Sequence, residues 1–265
     1  MAERADRMLE VARELALAAG RVHLEHFRRF DPAEVKLKSR RNPVTAADLA
    51  AERVVVGGLE KAFPGHRIVA EEEGGREGAA EWTWYVDPLD GTVNFAHGLP
   101  IFAVSIAVCR GEEIVAGVVH AAALGETCEA ARGGGARRNG RPLHVSRAAA
   151  LRESLLATGF SYQRNEVADN NVAQFADLVL RCRDLRRLGS AALDLAFVAA
   201  GHYDAYWEPH LNAWDLAAGI LLVQEAGGRV SDLAGGAAML ARGDVLASNG
   251  TALHEELLER VRRPA

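Results

Sequence analysis

The chain has 265 residues, 49% of them apolar, enough for one large domain or two intimate halves around a sizeable core. Its 31 basic and 36 acidic residues leave a formal net charge of −5, the reverse of the basic excess that marks a nucleic-acid binder. Cys109, Cys128 and Cys182 show no C-x-x-C spacing, the apolar runs stop short of a membrane span, and residues 1–7 lead into no apolar signal region, so a reduced, soluble, cytoplasmic protein is expected.

Residues 3–29 read as an amphipathic helix, with Met8, Val11, Leu15, Ala18, Ala19 and Val22 at helical spacing and Asp31-Pro32 as its stop. A second helix is expected over 46–62, with Ala51, Val54, Val55 and Leu59 toward the core and Pro64-Gly65 ending it. The period then changes, and 67–70, 83–86, 102–109, 114–120 and 126–130 read as strands, with Gly111-Glu112 as a hairpin turn. Gly133-Gly134-Gly135 lacks the strand–glycine–helix setting and the Lys-Ser/Thr pair of a P-loop, so it reads as a hairpin loop.

Further on, 155–159 is a short strand, 166–181 and 190–200 are helical, and 203–207 is a strand. A helix over 214–225 ends at Gly227-Gly228; 230–232 and 245–248 are strands; and 251–262 is a closing helix capped by Asn249 or Thr251. Helices and strands mix without regular βαβ alternation, a repeat or a Pro/Ser-rich linker, so one α/β unit of stacked layers is expected over residues 1–265, its halves roughly 1–145 and 146–265.

The densest chemical signal is Trp82-Thr-Trp-Tyr-Val-Asp87-Pro88-Leu89-Asp90-Gly91-Thr92-Val-Asn94-Phe95, an apolar strand running into two aspartates. Asp-Pro-x-Asp-Gly is also good β-turn chemistry, and a plain turn fits this segment alone. As a site, Asp87, Asp90 and the Leu89 carbonyl form an all-oxygen set suited to a hard cation such as Mg²⁺. Gly91 admits a ligand to the backbone, and a helix beginning near Gly91-Thr92 offers N–H groups and the Thr92 hydroxyl to a phosphate. Further acids stand at Glu71-Glu72-Glu73, at Asp215 in Trp214-Asp215 and at Asp48, each of which also reads as a solvated or helix-capping residue.

Taken together, Val44-Thr-Ala-Ala-Asp48, Ala70-Glu-Glu72, Trp84 to Phe95, Gly189-Ser190-Ala191 and Trp214-Asp-Leu-Ala-Ala-Gly219 resemble the inositol monophosphatase family along nearly the whole chain. The resemblance implies a layered αβαβα sandwich and a cluster of two or three Mg²⁺ ions held by Glu71, Asp87, the Leu89 carbonyl, Asp90 and Asp215. It also implies that Thr92, with Asp48 and Glu71 behind it, activates the attacking water. Lys38, Asp90, Gly91, Thr92, Gly189, Ser190, Ala191, Glu208 and Asp215 would contact the phosphate or the polyol. The implied activity is hydrolysis of a small polyol phosphate, foremost myo-inositol 1-phosphate, in a lithium-sensitive homodimer. Histidinol phosphate is the alternative substrate, and a moonlighting role with RNA or the transcription machinery the alternative class. Asn212 stands where members active on inositol phosphate often carry a histidine, which loosens the claim to inositol itself. Arg181, Arg183, Arg186 and Arg187 read first as a solvated helix end, with a subunit contact or a place near substrate as alternatives, and the nine histidines show no zinc-ligand spacing.

Overall fold

The computed structural model of the protein describes residues 2–28, 36–39 and 42–262. In chain order these form α1 (Ala2–Phe27), β1 (Lys36–Ser39), β2 (Asn42–Val44), α2 (Ala46–Ala62), β3 (His66–Ala70), β4 (Ala79–Asp90) and α3 (Thr92–Ala96). There follow β5 (Ala103–Arg110), β6 (Glu113–Ala121), β7 (Glu126–Ala131), β8 (Ala136–Arg138), β9 (Arg141–Pro142), β10 (Leu155–Thr158), α4 (Val172–Leu178) and β11 (Asp184–Arg186). The chain closes with α5 (Ala191–Ala199), β12 (Ala205–Glu208), α6 (Ala213–Glu225), β13 (Arg229–Ser231), α7 (Met239–Arg242), β14 (Val245–Ser248) and α8 (Leu253–Val261).

Two sheets carry the architecture. One has seven strands in the order β3-β4-β5-β6-β7-β8-β9, the other five in the order β11-β10-β12-β14-β13, and β1-β2 is a separate hairpin. The strand period sorts side chains to opposite faces, and β5 shows the consequence. Val104, Ile106 and Val108 join one core with Met8, Ala12 and Ala16 of α1 and Val55 and Leu59 of α2. Ala103, Ala107 and Cys109 join another with Leu195 of α5, Leu216 and Ile220 of α6, and Tyr206 and Ala247 of the second sheet. A third core sets Leu178 of α4 and Leu257 and Val261 of α8 against Leu156, Trp207 and Leu246. The layers therefore run α1/α2, seven-stranded sheet, α5/α6, five-stranded sheet, α4/α8. Both sheets are covered on both faces, which is why their strands read as near-continuous apolar runs.

Several boundaries differ from the sequence reading. The first helix ends at Phe27, and its expected stop at Asp31-Pro32 lies outside the described residues. The helix expected over 166–181 is confined to α4, and it begins only after Asn171, whose left-handed φ of 68° no helix continues through. Its amide is instead buried, donating to Thr158 Oγ1 and the Gly159 carbonyl at 2.8 Å each and accepting from Trp207 Nε1 at 2.6 Å. The Arg181–Arg187 run is not a helix end but contains the edge strand β11, and β1, β2, β8, β9 and α7 are elements that periodicity did not reveal. Gly111-Glu112 is the expected hairpin turn, with Arg110 paired to Glu113, and Gly133–Gly135 the expected loop between β7 and β8.

Candidate active site

The aspartate-rich segment is not an isolated turn. It is the end of β4, where the ladder to β5 slips: Asp87 pairs with Ser105 and Asp90 with Ala103, one extra residue on the β4 side. In a regular strand positions three apart face opposite ways. The bulge cancels that, and Asp87 and Asp90 open onto one cavity. Pro88 lies inside the bulge, where its missing N–H costs the ladder nothing. Gly91 follows with a φ of 94°, and a Cβ there would lie 2.7 Å from the Ile101 carbonyl oxygen, so the turn into α3 requires glycine. The helix that begins at Thr92 is a single turn of five residues. It offers first-turn N–H groups to an anion but little macrodipole.

The cavity, about 340 Å³, is lined by Glu71, Asp87, Leu89, Asp90, Gly91, Thr92, Gly189, Ala191, Glu208 and Asp215, all singled out from the sequence. Asp48 and Ser190 stand directly behind it. Asp48 occupies the third position of α2 in a capping box: its Oδ2 accepts the Thr45 N–H at 2.8 Å, and its Oδ1 lies 3.0 Å from Thr92 Oγ1. The Thr92 hydroxyl is equally 3.0 Å from the Leu89 carbonyl, so its proton has an acceptor on either side. Ser190 Oγ donates to Asp90 Oδ2 at 2.6 Å, and the Ala192 N–H donates to the same oxygen at 2.7 Å, so the start of α5 holds Asp90 in place. Asp215 is the third residue of α6 and accepts the Asn212 N–H at 2.6 Å. Lys38 belongs to β1, and its side chain lies outside the described residues.

Burial governs the charge state of this cluster. It pushes Asp87 well above the ordinary carboxylate range, reinforced by the negative charges of Glu71, Asp90 and Asp215. It carries Asp90 up to about 6 against the hydrogen bonds from Ser190 and Ala192, and raises Asp215 well above its usual value with Asp90 as the next contributor. Glu208 is 8% exposed at the end of β12 and goes up to about 7, with the Tyr206 hydroxyl, 2.5 Å from its Oε2, and the Arg187 charge holding it down. A Cβ on Gly159 would coincide with the Glu208 carboxylate, so glycine is what leaves room for that acid.

Among the described residues no three His, Cys, Asp or Glu side chains stand grouped so as to grip an ion as they are. The donor chemistry nevertheless fits a hard divalent cation. Glu71, Asp87, Asp90, Asp215 and the Leu89 carbonyl present only oxygen to one cavity, and the raised Asp87, Asp90 and Asp215 are the signature of buried carboxylates short of positive charge.

Other residues came into view only here. Arg187, weighed in the sequence only as part of a basic run, lines the cavity, as do Phe160, Ser161, Tyr162 and Gln163 of the loop after β10. Glu52, one turn after Asp48 on α2, accepts the N–H groups of Glu72 at 2.8 Å and Glu73 at 2.5 Å and so anchors the loop that carries Glu71. Its i,i+4 relation to Asp48 was a signal the sequence did contain.

A family model described as the inositol monophosphatase family matches residues 4–264. The chain is 43% identical over 258 residues to an inositol-1-monophosphatase of Mesorhizobium japonicum, covering 97% of each protein. It is 45% identical over 247 residues to a protein of Pseudomonas aeruginosa named Nus factor SuhB, covering 91% of each. Among solved structures, the inositol monophosphatase from Anabaena (Nostoc) superposes with a TM-score of 0.88 at 41% identity, over 97% of this chain and 95% of that one.

Proposed function

The chain belongs to the inositol monophosphatase family of phosphoric monoester hydrolases, and from that premise we propose that it hydrolyses a small polyol phosphate, foremost myo-inositol 1-phosphate, with Mg²⁺ held at the carboxylate cavity. The observation that carries this reading is the convergence of Glu71, Asp87, Leu89, Asp90 and Asp215 on one cavity with the Thr92–Asp48 pair at its wall. Glu71, Asp87, Asp90, Asp215 and the Leu89 carbonyl would hold two or three ions. When bound, Mg²⁺ supplies positive charge for the phosphate oxygens and makes water a stronger acid.

The chain's own residues do the rest. Thr92 donates a hydrogen bond to Asp48 Oδ1 and turns a lone pair toward the cavity, where it accepts a hydrogen bond from the attacking water and orients it toward phosphorus. Asp48, buried and raised above its usual pKa, and Glu71 form the acceptor set behind that water. Gly91, which lines the cavity and has the Ile101 carbonyl at its back, presents bare backbone to the phosphate, and Glu208 accepts hydrogen bonds from substrate hydroxyls. Phosphate monoester hydrolysis is among the slowest uncatalysed reactions, so preorganised charge and orientation have a very large barrier to act on.

Phosphate release measured on inositol 1-phosphate, histidinol phosphate and an aryl phosphate, with the Asp90→Asn protein as control, tests the reading. Turnover that needs Mg²⁺ and falls at least about a hundredfold in Asp90→Asn is expected. Undiminished turnover by that variant in metal-stripped buffer overturns it, and a preference for histidinol phosphate reassigns the substrate. A second reading, association with the transcription machinery, is favoured by the name Nus factor SuhB carried by relatives at 45% and 43% identity. Co-purification with RNA polymerase, compared between wild type and Asp90→Asn, separates it from catalysis. We place the protein in the cytoplasm because its three cysteines are unpaired. Among the described residues no helix is long and apolar enough to cross a membrane.

A further inference from the structure

One buried titratable side chain reaches the aspartate-rich loop without lining the cavity. His23, on α1, is 0% exposed, and its Nε2 lies 2.8 Å from the Pro88 carbonyl oxygen, 65 positions along the chain. A carbonyl oxygen only accepts, so Nε2 carries the proton. Nδ1 is then a bare lone pair, and among the described residues it has no partner. Burial holds the ring down to about 4, so it is neutral wherever an enzyme of this kind would work. The ring also stands edge-on to Phe102, with centroids 5.7 Å apart and planes at 82°, on the segment against which Gly91 packs.

The bond acts on a particular peptide unit. The oxygen of the Pro88–Leu89 peptide accepts from His23, and its N–H, that of Leu89, donates to Asp87 Oδ1 at 2.9 Å. The unit is thus gripped at both ends inside the bulge. Its plane sets the rotamer of Asp87 on one side and the direction of the Leu89 carbonyl on the other, where Thr92 Oγ1 stands 3.0 Å from the oxygen. With His23 removed, the Pro88 carbonyl would be buried without that donor and the peptide plane would be free to turn, carrying both oxygen donors with it.

We propose that His23 is a positioning residue for the cation site, clamping the Pro88–Leu89 peptide from α1 so that Asp87 and the Leu89 carbonyl are held ready for a divalent ion. The inference rests on the Mg²⁺ reading of the cavity given above. It is tested by calorimetric titration of Mg²⁺ into metal-free wild type, His23→Leu and His23→Gln, with thermal unfolding of the same metal-free samples. Partners that orient metal ligands typically change affinity by about 10–100-fold, and a weakening of that size is expected for His23→Leu. Gln keeps an N–H donor at similar reach, so it is expected to restore affinity to within about threefold of wild type, short of that range. Wild-type affinity in His23→Leu, or equal weakening in both variants, overturns the inference while leaving the Mg²⁺ reading standing. A wild type that takes up no Mg²⁺ overturns the reading itself and the inference with it. If His23→Leu fails to fold, nitrogen-15 NMR of the wild-type imidazole decides: the Nε2–H tautomer is required, and an Nδ1–H tautomer overturns the clamp.

Discussion

Glu208 ends β12 with Tyr206 on one oxygen and the backbone of Gly159 against its carboxylate, a rigid setting for an acid. Pro209 favours an extended backbone at Glu208, and the side chain lines the cavity. At about pH 8, where Glu208 is ionised, Glu208→Gln is expected to lower kcat/KM for inositol 1-phosphate by about 1.5–3 kcal/mol, the range for a hydrogen bond to a charged group. Hydrolysis of an aryl phosphate, which lacks the hydroxyls, is expected to change little, and Mg²⁺ affinity not at all. Equal losses on the two substrates would move Glu208 from specificity to chemistry or fold. The motifs and the family resemblance they carry reached far into the site: Glu71, Asp87, Asp90, Glu208 and Asp215 meet at one cavity, and Asp48 stands behind it. His23 escaped because it acts on a backbone group 65 positions away, which no local pattern marks, and Glu52 because its i,i+4 relation to Asp48 places it on a helix face without telling which distant backbone it meets.

At the scale of elements, α2 is one tool with two ends. Asp48 in its first turn holds Thr92, and Glu52, four residues on, holds the loop of Glu71 to Glu73, so a single helix face sets the spacing between the water-orienting hydroxyl and a cation ligand. Glu52 is 1% exposed, and removing its carboxylate would leave two N–H groups without their acceptors. Glu52→Ala is expected to lower stability to urea by about 2–4 kcal/mol, from two lost charge-assisted hydrogen bonds. Because Glu71 moves with that loop, its rate at limiting Mg²⁺ is expected to fall more than its rate at saturating Mg²⁺. A variant with an unchanged urea midpoint and Mg²⁺ dependence would show that the loop is held by other means.

For the whole molecule, the buried acids tie stability to pH and to the cation. Asp90 at about 6 and Glu208 at about 7, with Asp48, Asp87 and Asp215 also raised, keep protons in the folded state that the unfolded chain releases near pH 4. Their favourable contribution is complete below about pH 4 and is lost as pH rises through the folded values. The metal-free protein is therefore expected to have a lower thermal midpoint at about pH 8 than at about pH 5. Mg²⁺ is expected to raise the midpoint more at the higher pH, where it no longer competes with protons. Equal midpoints in calorimetric scans with and without Mg²⁺ at both pH values would contradict this. A second property of this scale is assembly, for which we propose a homodimer. Val172, Val179 and Leu180 are exposed, Leu180 at 86%, close in sequence to β11 on the open edge of the five-stranded sheet. Sedimentation is expected to give twice the protomer mass, with Leu180→Glu shifting it toward the monomer. A wild type that sediments as a monomer at micromolar concentration overturns the proposal.

The amino-acid sequence by itself determined the mixed α/β class, most strands of both sheets and the identity of the acids, because strand period, turn residues and the Asp87–Thr92 and Trp214–Asp215 motifs are local signals. It could not bound α4, because a polar stretch such as residues 166–170 reads alike as helix or loop. What sets the start of the helix is Asn171, buried with its amide committed to Thr158, Gly159 and Trp207, and those partners are tertiary neighbours. Only the tertiary structure decided that Asp87 and Asp90 face the same way, since a strand with one extra residue reads like any other until its partner's register is known. The same holds for the acids contributed by α2, β4, β12, α6 and the loop after β3, brought together by the stacking of two sheets around α5 and α6. Burial, a property of that stacking and of no single segment, is what raises those carboxyls and makes a set of ordinary aspartates into a site that calls for a cation.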